Sequence, residues 1–172
     1  MLYSGTLSNW RLYLRLKGAT VLIPMKVDYG VRTLVFLAQR TTRRYVPASE
    51  IARSQHIPEP YLLRVCSELQ KAGLIESRRG PSGGHKLARP ADKITVADVV
   101  TSLDQSLAPT DCVEEPDECR LSGACSQREM WVDVERMLVD HLTGVQVSEL
   151  AQKQTSLVTK IDPLPSGAPV AN

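Results

Sequence analysis

The sequence predicts a mainly α-helical fold carrying one small β-hairpin, and three observations lead there. Apolar residues recur at three- and four-residue intervals through successive blocks after Met25, the period of an amphipathic helix. Two of those blocks are short and are joined by a turn bracketed by Pro58 and Pro60. A Gly/Pro-rich tip, Gly80-Pro81-Ser82-Gly83-Gly84, then separates two short runs that suit strands. A chain of 172 residues can bury one good core with appendages.

Val27, Val31, Leu34, Val35 and Ala38 predict a first helix over about 27–40, ended by Thr41-Thr42-Arg43-Arg44. A second short helix follows Pro47, with Ser49 as its N-cap and Ile51 and Ala52 facing inward. A third begins at Pro60, where a missing N–H costs nothing. It points Leu62, Val65, Cys66 and Leu69 inward and stops at Ala72-Gly73, with Gly73 as the C-cap. Two short helices joined this way form a helix-turn-helix, and strands over 74–77 and 85–88 add a hairpin wing. A winged helix-turn-helix domain is therefore expected over 25–90.

Behind it, Thr95 with Asp98 three residues on reads as a cap opening a helix over 96–104. Ser126 with Glu129 reads as a capping box that starts a long helix right behind Cys125. Met130, Trp131, Val134, Met137, Leu138 and Leu142 give that helix an apolar face that needs a partner, and a second copy of the chain is the economical one. This region, 91–155, is expected to hold a cysteine loop and dimerisation helices. A small helix around 148–154 and a disordered tail over 156–172 complete the expectation. Residues 1–24 carry Arg11, Arg15 and Lys17 and no acid, without the apolar core or cleavage site of a secretory signal. They are expected to be a disordered upstream extension, a short membrane-touching or partner-binding arm being the alternative.

The net charge of +2 conceals a division. Residues 26–90 hold twelve Lys/Arg against five Asp/Glu, while residues 91–155 hold five against thirteen. The front half thus has the electrostatics of a phosphate-binding surface and the back half would repel DNA. No apolar run approaches the ~18 residues of a membrane span. The three histidines are scattered, and no nucleophile–base pair or phosphate-cradling Gly motif appears, so an enzyme is not expected. Four cysteines in a chain this long do not make a secreted disulfide scaffold, and a reducing cytoplasm is the expected setting.

Cys112, Cys119 and Cys125 sit in a stretch rich in acids, Gly and Pro, on irregular backbone that needs no thiols for packing. Thiolates this close can converge on an iron–sulfur cluster, on a structural zinc, or on thiol and disulfide chemistry. Their spacing is wider than a usual zinc knuckle. Cys66, on the inward face of the third helix, reads as a small core hydrophobe.

Several motifs carry a family resemblance: Tyr29-Gly30-Val31-Arg32, Tyr61-Leu62, and Leu69-Gln70-Lys71-Ala72-Gly73-Leu74-Ile75. Arg79-Gly80-Pro81-Ser82-Gly83-Gly84 and the three-cysteine loop leading into a long helix extend it. From Met25 to about Gln154 the chain resembles the IscR/NsrR group of winged-helix transcriptional regulators. The resemblance implies a homodimer that binds double-stranded DNA at an operator with two half-sites, most simply as a repressor, under control of an iron–sulfur cluster. In the IscR branch a His lies three residues after the third Cys; here that position is Arg128, which cannot ligate. The NsrR branch instead resembles an arrangement in which an Asp in the partner's first helix completes the site, and the matching residue is Asp28. That departure favours 4Fe–4S over 2Fe–2S and leaves nitric oxide, oxygen, redox state and iron supply open as the signal. Otherwise Asp28 simply caps its helix.

Placement nominates the DNA contacts. Arg64 stands opposite Leu62 and Val65, where it can reach a guanine edge, and Tyr61 is placed for a phosphate. Arg79, among glycines at the wing tip, suits a minor groove, while Arg78, Lys86 and Arg53 suit phosphates. His56 and His85 are expected to face DNA or solvent, and His141 to be packed or solvated. The competing reading is a cluster-free or zinc-stapled DNA-binding regulator answering to thiol oxidation, a small molecule or a partner protein.

Overall fold

The computed structural model describes residues 23–40, 44–103, 107–121 and 123–160. The expectations for residues 1–22, for the stop at 41–43 and for residues 161–172 lie outside the described residues. Helix α1 spans Met25–Ala38, two residues earlier than its apolar period suggests, because the Pro24 carbonyl accepts from the Val27 and Asp28 amides at 2.9 and 3.3 Å. Helix α2 spans Ala48–Gln55. Its N-cap is Pro47, not Ser49, which falls inside the first turn while the Pro47 carbonyl takes the Glu50 and Ile51 amides. Helix α3, Glu59–Lys71, carries Pro60 in its first turn, as expected.

Between α2 and α3 the chain turns through His56 at φ +53, a left-handed residue with no glycine to ease it. Helix α3 ends in a paired closure. Leu74 N–H reaches the Leu69 carbonyl at 2.9 Å and Gly73 N–H the Gln70 carbonyl at 3.0 Å, with Gly73 at φ +68. That is the glycine stop expected there.

Strands β1 (Ile75–Arg78) and β2 (Gly84–Leu87) pair antiparallel, Ile75 opposite Leu87 and Arg78 opposite Gly84, each one residue displaced from the expected runs. Val46 joins β2 as a single bridge, exchanging two 2.8 Å bonds with His85 and tying the wing to the segment before α2.

Helix α4 spans Val96–Leu103, and its capping box is formed. Thr95 N–H meets Asp98 Oδ2 at 2.9 Å and Asp98 N–H meets Thr95 Oγ1 at 3.1 Å. Thr95→Ala is expected to lower stability by about 1 kcal/mol, read as a lower denaturant midpoint at unchanged slope.

A short helix α5 (Asp111–Glu114) and a 3₁₀ turn (Pro116–Glu118) occupy the cysteine segment. Helix α6 runs Arg128–Thr143. Its N-cap is Gln127 with no side-chain bond, so Ser126 does not cap it and Cys125 lies three residues short of the helix. Helix α7 spans Val147–Lys160, longer at both ends than the small terminal helix expected, and continues into the start of the expected tail. It lies on α1, where Gln39 Nε2 donates to Thr155 Oγ1 at 3.2 Å. The Val96 and Val147 amides reach the Val145 and Ile94 carbonyls at 2.9 Å, closing the helical half onto the winged half.

One core unites these elements. Leu34, Ile51, Leu62, Leu69, Ile94, Val99 and Val147 are fully buried. Helix α6 contributes no buried residue. Its Met130, Met137, Leu138 and Val139 are exposed, Met137 to 68%. Among the described residues no helix is long and apolar enough to cross a membrane.

Candidate nucleic-acid interface and thiol loop

Helix α3 is amphipathic in the manner a reading helix requires. Leu62, Val65, Cys66 and Leu69 seat it in the core, and Tyr61, Leu63 and Arg64 remain on the outside. Arg64 is exposed, opposite the buried face, where the sequence placed it. Tyr61 is 39% exposed, and its ring is held edge-on by Tyr29 of α1, with centroids 5.4 Å apart and planes at 84°. Arg53 on α2 and Arg78 and Arg79 on the wing are also exposed.

Lys86 differs from them. It is half-buried, 2.9 Å from Glu76 Oε2 and 5.0 Å over the Tyr45 ring, while Tyr45 donates to the same carboxylate at 3.1 Å. The Glu76 bond holds the Lys86 ammonium above its ordinary range, and that ion pair must be shared or broken before Lys86 meets a phosphate. His85 lies half-buried in β2 rather than facing solvent. Its Nδ1 is 2.8 Å from Ser77 Oγ, and desolvation lowers its pKa, which keeps the ring neutral. His56 and His141 are exposed. The register that aims Lys86 at Glu76, and the left-handed His56 in the turn, left no signal in the sequence.

The loop thiols are chemically available. Cys112, Cys119 and Cys125 are free and half-exposed, whereas Cys66 is buried, and burial pushes its thiol up to about 12. Cys112 Sγ lies 3.3 Å from Thr110 Oγ1. Cys112 and Cys119 line one hollow of about 440 Å³ with Asp111, Glu114, Glu115 and Glu118, and Cys125 is not part of its wall. Among the described residues no three His, Cys, Asp or Glu converge closely enough to hold a metal ion. The chain brings two of the three thiols into one hollow and leaves the third apart.

Asp28, on α1, is not gathered with the cysteines of its own chain either. It pairs with Arg32 one turn on, Oδ2 to Nη2 at 2.8 Å, yet the same Oδ2 is shut off from solvent without a hydrogen bond of good direction. The donor set suits iron: three free thiols outside the buried core, and one carboxylate oxygen without a well-directed hydrogen bond. The spacing is not preformed in the single chain, as is common where metal binding and loop closure are coupled.

The family profile described as Rrf2, iron-dependent transcriptional regulator, matches residues 23–153. The transcriptional regulator IscR of Erwinia tasmaniensis is 33% identical over 133 residues, spanning 77% of this chain and 80% of that one. IscR of Vibrio campbellii is 32% identical over 125 residues, 73% and 74% of the two chains. Among solved structures, IscR of T. potens superposes with a TM-score of 0.65 at 26% identity, over 86% of this chain and 94% of that one. CymR, the global cysteine regulator of B. subtilis, gives 0.64 at 26% identity over 78% and 98%.

Proposed function

The chain belongs to the Rrf2 family of transcriptional regulators, and on that premise we propose that it is a homodimeric repressor whose DNA affinity is set by an iron–sulfur cluster on the Cys112–Cys125 loop. One observation carries this reading. Three free cysteines outside the buried core lie between α4 and α6, a helix with an exposed apolar face and no buried residue, in a chain whose other half is a basic winged helix-turn-helix.

Cys112, Cys119 and Cys125 would hold the group as thiolates, and the partner subunit's Asp28 would complete the set where Arg128 cannot. When bound, a 4Fe–4S cluster supplies an iron open to nitric oxide or to a change of redox state. The carboxylate is a hard, weakly held ligand for that iron, which suits an exchangeable position. Holding such a group, the thiolates would tie the loop to the start of α6, and releasing them would free that helix to shift. Two α3 helices must meet half-sites about 34 Å apart, so a displacement of a few ångströms costs binding. Arg64 would then read a base edge and Arg79 a narrow groove, while Tyr61, Arg78, Arg53 and Lys86 hold phosphates.

An anaerobic absorption spectrum before and after nitric oxide tests the assignment. A broad band near ~400 nm that the gas bleaches is expected of a cysteine-held 4Fe–4S centre. Cys112→Ala, Cys119→Ala and Cys125→Ala are each expected to lose cluster-dependent DNA binding while the dimer persists. Binding that stays agent-sensitive in all three variants would sink the reading.

A second reading has its own support: Cys112 and Cys119 share one hollow from which Cys125 is absent. A thiol switch between those two would give colourless, iron-free protein even after reconstitution, with DNA binding reversed by dithiothreitol. A zinc staple would instead give colourless protein with about one metal per chain.

A further inference from the structure

Four side chains link the Asp28 carboxylate to the start of the recognition helix. Asp28 holds Arg32 at 2.8 Å. The Arg32 guanidinium lies over the Tyr29 ring, 5.9 Å from its centroid. Tyr29 meets Tyr61 edge-on at 5.4 Å, and Tyr61 stands in the first turn of α3. Between them there is no slack in α1 itself. Thr33, fully buried, donates its hydroxyl to the Tyr29 carbonyl at 2.7 Å. On the next residue, Gly30, an added Cβ would collide with Leu103 Cδ1 and crowd Val99 of α4. The backbone of α1 is therefore clamped against the helix that leads into the thiol loop, so a change at Asp28 is passed on through side-chain contacts such as that of Tyr29, which packs against the core, rather than by a shift of the helix.

We propose that Tyr29 is a positioning residue for DNA recognition, placing Tyr61 according to whether the Asp28 carboxylate is engaged with Arg32 or drawn away. This deepens the reading above and rests on its assignment of Asp28 as a ligand. While Asp28 holds Arg32, the guanidinium is tethered at the edge of reach of the Tyr29 ring. Withdrawing the carboxylate releases a cation beside a π-face, which attracts it. An edge-on aromatic pair depends on ring orientation, so a change at the Tyr29 face is passed to Tyr61. Because the carboxylate would be drawn to the iron of a cluster held by the thiolates of the other subunit, the signal crosses the dimer: one chain's loop sets the partner's recognition helix.

The test begins with cluster-free full-length protein labelled with 3-fluorotyrosine, the Tyr61 fluorine signal being assigned by its loss in Tyr61→Phe. Asp28→Asn removes the charge that holds Arg32 and is expected to move the Tyr61 signal. In a Tyr29→Leu background the same substitution should leave it in place. A Tyr61 signal indifferent to Asp28→Asn overturns the proposal without touching the cluster assignment.

The second arm compares cluster-loaded and cluster-free protein on a duplex selected by the wild type from a random library. Tyr29→Leu is expected to shrink the ratio of the two affinities by a factor of up to about ten, with loading and spectrum unchanged. Tyr29→Phe, which keeps the ring, is expected to retain the ratio. A full ratio in Tyr29→Leu defeats the inference alone, whereas a ratio of one in the wild type defeats the cluster reading and this inference with it.

Discussion

Gly84→Ala is expected to unfasten the wing. Gly84 opens β2 at φ +142, a conformation that residues with a Cβ rarely adopt. A Cβ there would also run into the Val46 carbonyl and the Pro47 nitrogen. Both penalties fall on backbone, which cannot swing aside as a side-chain end can. The relief available is to break the Val46–His85 bridge, giving up two 2.8 Å hydrogen bonds. Strain and overpacking together should cost about 2–4 kcal/mol. The wing carries Arg78 and Arg79, so operator affinity should fall by ~10-fold or more as that arm loses its orientation. Gly123→Ala is the control, since nothing lies within 4 Å of a Cβ there. Equal melting points for the two variants would show that the bridge does not anchor the wing.

The other large effect is at α6. Met137 and Leu138 are 68% and 38% exposed, so charging them should barely disturb a single chain's fold. In the proposed dimer that face would be buried, and two carboxylates opposed to two more would be driven apart. Met137→Glu with Leu138→Glu is expected to give a monomer by sedimentation. Its affinity for a two-half-site operator should drop by ~10²–10⁴, because the second contact is no longer intramolecular. Affinity for a lone half-site should hardly change. A dimer that survives the double substitution would place the interface elsewhere.

What the sequence revealed and concealed follows from the range of the forces involved. The helix-turn-helix, the glycine stop at Gly73 and the Thr95–Asp98 cap are local, fixed by residues within one turn, and all three were legible. The Ser126 and Ser49 caps were equally well formed as patterns, and neither was realised. A cap needs its own residue outside the helix, and Pro47 and Gln127 took that position. The ion pair that occupies Lys86 depends on strand register with Glu76, and the Tyr29–Tyr61 contact spans two helices. Neither leaves a trace in spacing. The thiol loop was legible as composition, but spacing alone did not show that, among the described residues, its donors are not gathered into one centre.

The burial of Cys66 has a practical consequence. With its thiol near 12, it stays protonated at neutral pH, and burial shields it from reagents, whereas the other three are half-exposed. A neutral alkylating reagent applied to native protein therefore counts loop thiols alone, three per chain when they are vacant and fewer as they are taken up. Denaturation adds the fourth and supplies the total. The molecule thus carries its own internal blank, and the occupancy of its loop can be read by mass, in preparations too dilute or too turbid for colour.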